Sequence, residues 1–142
     1  MSDLPILPSQ ELLFFDSMPQ MLPTYMALKS ALLARCPDME TTVSKTQISF
    51  RNRRLFAMAS LPWRKRKGWP EEYLLISFGL GRRKASPRIV QAVEPYPNRW
   101  THHVLATGPE AIDGELLRWL DEAYRFAEEK ERREAPPPKP TA

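Results

Sequence analysis

The sequence predicts an α+β fold: N-terminal helices, an antiparallel sheet of about four to five strands, and a C-terminal helix packed on one face. Three observations carry this. Apolar residues recur at helical spacing at both ends of the chain and at alternating spacing in the middle. The strands run together between the helices, the order of a sheet with helices gathered on one side. The 142 residues, 42% hydrophobic and 27% charged, suffice for one core of ordinary size.

Residues 1–8 carry Pro5 and Pro8 and no period, so they form a flexible arm. Ser9 is placed to cap a short helix over residues 10–16, in which Leu12, Leu13 and Phe15 seek cover. A longer helix follows over residues 19–35. Leu22, Tyr25, Met26, Leu32 and Leu33 share one face, Pro19 and Pro23 fit only its first turn, and Pro37 ends it. Lys29 falls on that apolar face, its ammonium expected to snorkel to the rim.

The period then changes. Gln47, Ile48, Ser49, Phe50 and Arg51 alternate polar and apolar, as a half-buried strand does. Asn52 and Arg53 form a tight turn, with Asn52 suited to positive φ, into a second strand over residues 55–61. Residues 63–70 are a basic loop. Residues 73–78, rich in β formers, are the strongest strand, broken by Gly79 and Gly81. Ser86-Pro87 has the form of an N-cap with Pro at the first helical position, which predicts a short helix over residues 88–93. Residues 100–105 are the last strand.

The closing helix is the clearest element. Asp113 is its N-cap, Ile112 and Leu117 form a staple, and Leu116, Leu117, Leu120, Ala123, Tyr124 and Ala127 make one apolar stripe. The charged residues 128–134 are expected to fray, and residues 135–142, with four prolines, form a disordered tail. The organisation is thus an arm (1–8), one domain (9–130) and a charged, Pro-rich tail (131–142).

The net charge of +4 hides a polarity. Residues 45–88 hold 12 Lys or Arg against Glu71 and Glu72, a local +10, and the remainder sums to −6. A basic middle steers an anionic partner to one region. No apolar run approaches the roughly 18–20 residues of a membrane span. The N-terminus lacks the basic region of a secretory signal. The one cysteine, Cys36, allows no internal disulfide and no thiolate cluster, and fits a reduced, cytoplasmic setting.

Two constellations bear on chemistry. Trp63, Arg64, Lys65, Arg66, Lys67 and Trp69 put rings beside cations, and Arg82, Arg83 and Lys84 are expected to join them on one side of the sheet. Cations on phosphates and rings on bases are how nucleic acid is gripped. Lys45, Arg51, Arg88 and His102 form a second candidate, an anion site in which guanidinium forks suit phosphate or carboxylate. His102 and His103 are neighbours on a strand and point to opposite faces, so they do not chelate one ion as a pair. One is expected inside with a hydrogen bond, the other toward solvent. There is no G-x-S-x-G and no H-E-x-x-H, and Gly79-x-Gly81 lacks the ending of a phosphate loop. Cys36 reads as packed. No catalytic residue, metal or cofactor is predicted.

Several stretches together resemble one family. They are Val43-Ser44-Lys45-Thr46-Gln47-Ile48-Ser49-Phe50, Ser86-Pro87-Arg88-Ile89, Arg99-Trp100-Thr101-His102-His103, and Trp119-Leu120 followed by Ala123-Tyr124. Leu13-Phe14-Phe15 before the Tyr25 and Leu28 helix fits as well. Over residues 9–128 the chain resembles the bacterial domain of unknown function 5655 family. The resemblance implies a small α+β domain distantly similar to YdhG-like and MmcQ/YjbR-like folds, with no established activity. Similar domains stand at the ends of larger proteins, some beside nuclease-like partners, an analogy that favours nucleic acid. The basic insert at residues 64–67 and the proline tail depart from the family pattern.

The expected function is a non-enzymatic module for an anionic partner, nucleic acid or another polyanion, with no membrane role. One alternative is a small-molecule, anion-binding or hydrolytic domain with a pocket near Lys45, Arg51, Arg88 and His102. Another is a protein-interaction adaptor using the acidic C-terminal helix.

Overall fold

A computed structural model describes residues 7–62 and 64–134, with side chains up to residue 129. Most of the N-terminal arm, Trp63 and residues 135–142 lie outside the described residues. Leu7 is buried in the core, so the arm is anchored at its end.

Pro8, not Ser9, holds the N-cap position of α1 (Ser9–Phe14). Its carbonyl accepts the amides of Glu11 and Leu12, and the Ser9 side chain makes no cap. A 3-10 helix (Pro19–Met21) leads into α2 (Leu22–Arg35), whose Tyr25, Leu28 and Leu32 are buried as their spacing requires. Lys29 does not snorkel. It is buried, with Nζ 2.5 Å from Oε1 of Glu11, and the Tyr25 hydroxyl donates to the same oxygen. A buried ammonium persists only beside a counter-charge, and α1 supplies one from an equally buried glutamate.

The sheet has six strands: β1 (Glu40–Val43), β2 (Ile48–Asn52), β3 (Arg54–Ser60), β4 (Leu74–Leu80), β5 (Ile89–Tyr96) and β6 (Arg99–Ala106). Their order is β1-β2-β3-β4-β6-β5, and every pairing is antiparallel. Two strands exceed the sequence expectation. The four-residue β1 is too short to show a period. β5 stands where a helix over residues 88–93 was expected. Ser86 does cap one turn, its Oγ taking the Arg88 amide at 3.2 Å and its carbonyl the Ile89 amide at 3.0 Å. The chain then extends, because Ile89, Val90 and Val93 are β-branched and β6 offers a free edge. Pro95 is tolerated because β5 is itself an edge strand.

Three smaller corrections follow. Arg53, not Asn52, takes the left-handed conformation (φ 61°) between β2 and β3. Gly79 does not end β4, which continues to Leu80. The last helix, α3 (Gly114–Glu134), stays helical through the charged stretch expected to fray.

Alternation sorts the strand residues onto two faces. Ile48, Phe50, Ala57, Ala59, Ile76, Phe78, His102 and Val104 meet α2 and α3 and are buried. A bulge adds to this side. Phe50 pairs with Ala57 and Arg51 with Leu55, which leaves Phe56 unpaired. Its ring is buried as well, edge-on to Tyr124 of α3 at 5.3 Å. Asp113 caps α3, its Oδ1 accepting the Leu116 amide at 3.0 Å, and Leu116, Leu120 and Ala123 are fully buried. A leucine buried this way stabilises by about 2–3 kcal/mol. The opposite face presents Ser49, Met58, Ser60, Leu75, Ser77, Thr101, His103 and Leu105, smaller or more polar and largely half-exposed.

Candidate functional site

The open face of the sheet owes its chemistry to alternation. Gln47 and Ser49 share it, as the period predicts, and are joined by a hydrogen bond of 3.1 Å. Across β4 and β6, Ser77 pairs with His103, and Ser77 Oγ and His103 Nδ1 share a hydrogen bond of 2.7 Å. That bond fixes the imidazole and leaves Nε2 with no protein partner among the described residues.

The basic loop after β3 turns back over this face. Between loop and sheet lies a cleft of about 550 Å³. Arg64, Arg66 and Trp69 line it from the loop, and Gln47, Gln91 and His103 from the sheet. Among the described residues no Asp or Glu lines it. The Arg66 guanidinium lies over the Trp69 ring, 4.8 Å from its centroid, and Trp69 meets Tyr73 edge-on at 5.8 Å. Trp69 is therefore a platform that holds Arg66, rather than a ring with two free faces. Burial first, and Arg66 second, hold the His103 pKa below its usual 6.5. On its other side the loop bounds a second cleft of about 560 Å³ with Ser17 and Gln20. Glu71 and Glu72 line that one, and Lys65 pairs with Glu71 at 3.2 Å, so its charge is balanced.

Arg82, Arg83 and Lys84 do not join residues 64–67. The loop precedes β4 and the second cluster follows it, and seven strand residues separate the two by about 20 Å. The second cluster also crosses β6 on the helix-covered side. There the Lys84 amide donates to Nε2 of His102 at 2.8 Å, and the Lys84 ammonium pairs with Glu122 at 2.9 Å. Arg83 lies over Trp100, 5.9 Å from the ring centroid. Trp63 lies outside the described residues.

The second constellation is dispersed too. His102 is fully buried, its ring stacked on Phe78 at 5.2 Å. With Nε2 accepting, its proton sits on Nδ1, which is buried without a hydrogen-bond partner, and burial holds its pKa below the usual 6.5. It is a neutral core histidine, as one of the pair was expected to be. Arg88 donates to both carboxylate oxygens of Asp113 (2.8 and 3.0 Å), to Glu115 (3.0 Å) and to the Ala111 carbonyl (2.9 Å). Its task is to tie β5 to the start of α3. Lys45 is exposed in the β1–β2 turn and Arg51 in β2, three strands from β6, or about 14 Å. The four residues do not form one pocket.

The two histidines do point to opposite faces. Cys36 is packed, and burial pushes its thiol up to about 11, which removes the nucleophilic thiolate at neutral pH. The residues that sequence reasoning missed are His103, Ser77 and Gln91, with Arg53, Arg54 and Arg99 at the other end of the sheet. The alternation that marked Gln47 and Ser49 marks Ser77 and His103 equally well, once β4 and β6 are known to pair.

The fold also agrees with what the chain is similar to. The family described as domain of unknown function DUF5655 matches residues 13–127. The chain belongs to the DUF5655 family. That match spans every element from α2 to β6 and most of α3, so the cleft lies wholly inside the DUF5655 domain. No curated protein and no solved structure matches, so the comparisons supply no relative with a known ligand and no support for a YdhG-like relationship. Among the described residues no helix is long and apolar enough to cross a membrane.

Proposed function

We propose that this DUF5655 domain is a non-enzymatic module that binds an anionic partner, nucleic acid first, on the open face of its sheet. One observation carries the reading: Arg64, Arg66 and His103 line one cleft whose described lining holds no Asp or Glu. Guanidinium groups and backbone phosphates suit each other in geometry and charge. Lys67 adds charge to the loop rim, while Lys65 is paired with Glu71. Arg82, Arg83 and Lys84 have no part in it, since they lie at the far end of β4 and on the covered side. Ser77 is buried and does not line the cleft, so it orients His103 and is not placed as a nucleophile. A cytoplasmic setting belongs to the same reading, with Cys36 reduced.

A small anionic ligand is the second reading, favoured by the volume of the cleft, which falls within the roughly 300–1,000 Å³ of small-molecule sites. The adaptor reading has less to work with, because Glu115, Asp121 and Glu122 of α3 are engaged by Arg88, Arg35 and Lys84.

Fluorescence anisotropy with a labelled single-stranded oligonucleotide at several salt concentrations tests the proposal. Log affinity is expected to fall linearly with log salt, and changing Arg64, Lys65, Arg66 and Lys67 together to Ala flattens that slope by about two to four units. A folded protein that fails to bind at low salt, or a slope unchanged in the variant, overturns it.

A further inference from the structure

At the other end of the open face lies a second concentration of positive charge. Arg51 (β2), Arg53 (the β2–β3 turn) and Arg99 (the start of β6) come from separate elements and line one pocket of about 390 Å³, with Arg54, Leu55, Tyr96 and Ala127 of α3 in its wall. Among the described residues no Asp or Glu lines it. Glu40 stands opposite Arg51 across the β1–β2 ladder and makes no ion pair with it, and among the described residues Arg51, Arg53 and Arg99 have no carboxylate partner.

Two backbone features hold these arginines where they are. A Cβ at Gly79 would stand 2.6 Å from Nη1 and 2.7 Å from Cζ of Arg99. The Arg99 guanidinium therefore rests on the strand itself, in space that only glycine leaves open. A glycine inside a strand weakens it and often marks the close approach of another group. Arg53 occupies the left-handed region at φ 61°, where Gly or Asn is the unstrained choice. Both features cost stability, and both place a guanidinium at this pocket.

We propose that Arg51, Arg53 and Arg99 form a distinct binding site for a phosphate dianion, either a terminal phosphate or a diphosphate group. Guanidinium groups around one pocket repel one another, and a multiply charged phosphate group relieves that repulsion while accepting paired N–H bonds from the forks it reaches. The pocket lies near the lower end of the roughly 300–1,000 Å³ range of ligand sites, the size for a phosphate or diphosphate group with its attached residue outside. It shares no residue with the Arg64–Arg66–His103 cleft and lies at the opposite end of β4, so it stands independently of the function proposed above.

The test is isothermal titration calorimetry of the full chain with inorganic pyrophosphate and with inorganic phosphate, ionic strength held constant with potassium chloride. One-to-one binding of pyrophosphate with Kd below about 1 mM is expected. Arg51→Gln with Arg99→Gln weakens it by about tenfold or more, and Gly79→Ala, which displaces the Arg99 guanidinium, weakens it in the same direction. Arg64→Ala with Arg66→Ala leaves it unchanged. Circular dichroism confirms that each variant is folded. A labelled oligonucleotide with and without a 5′-phosphate separates the sources. If the 5′-phosphate adds affinity that Arg51→Gln with Arg99→Gln removes, the ligand is a nucleic-acid end. If pyrophosphate binds and the 5′-phosphate adds nothing, it is a free phosphate compound. Absence of saturable pyrophosphate binding, or binding lost in the Arg64/Arg66 variant and kept in the Arg51/Arg99 variant, overturns the site.

Discussion

On the helix-covered face of the sheet, Phe78 and His102 stack 5.2 Å apart under Trp119; one residue along the same two strands, Ser77 and His103 share a hydrogen bond on the open face. The pairs have similar letters and the same ladder. The inner histidine is sealed off, accepts one backbone amide and has no access to a ligand. The outer one lines a cleft beside Arg64 and Arg66. Which side of a strand a residue occupies decides whether its imidazole is packed in the core or lines the cleft. The same division separates the cations. Lys84 and Arg88, on the covered side, are paired with acids of α3, and Arg51 and Arg99, on the open side, are not.

The largest effect is expected on the covered face. Leu120→Asp places a charge where the leucine is fully buried, and it costs about 4–5 kcal/mol or more, enough to unfold the domain. Loss of the cooperative thermal transition in circular dichroism checks this; an unmoved melting temperature means that α3 does not pack on the sheet.

The histidines sharpen the contrast. His102→Ala empties a core position and frees the Lys84 amide, and is expected to cost about 2–4 kcal/mol in urea unfolding. His103→Ala leaves only the Ser77 hydroxyl unsatisfied and costs about 1 kcal/mol. Equal losses from the two substitutions break the division of roles.

Both rings have pKa values lowered by burial, so the unfolded chain protonates first. The stability they permit is complete above about 6.5 and falls as pH drops from there toward the folded pKa values. Asp113 is different. Its hydrogen bond from Arg88 above all, and that from the Leu116 amide, hold its carboxyl below the usual 3.8, and its share is lost only at more acidic pH. Melting curves across this range are expected to show the histidine loss as a separate, earlier step. His103→Gln should reduce that step without removing it. A pH-independent melting temperature around 6 contradicts the assignment of both rings as neutral.

The smallest effect lies at the β2–β3 turn. Arg53→Gly relieves a left-handed residue and should stabilise by about 0.5–1 kcal/mol, while removing one cation from the second pocket. A stability gain accompanied by weaker pyrophosphate binding is the expected pattern in paired unfolding and calorimetric measurements.

The sequence by itself determined the α+β class, the Asp113 cap, the apolar stripe of α3, the strands from Ile48 and Leu74, and the opposite facing of His102 and His103. These are local properties: spacing along the chain decides which side chains share a face, and Asp113 reaches an amide three residues away. Tertiary structure decided that residues 89–96 are a strand, because the free edge of β6, taken up by the β-branched Ile89, Val90 and Val93, outweighs a local Ser-Pro helix signal. It also decided that Lys29 is buried, because α1 brings Glu11 to it. The same holds for the charge. A run of cations between Lys45 and Arg88 is legible as +10, but strand order splits it. Residues 64–67 go to one end of the open face, Arg51 and Arg53 to the other, and Lys84 and Arg88 go to the carboxylates of α3. Charge adds up along a sequence, while the field at a site depends on distances that only the pairing of β3, β4 and β6 sets.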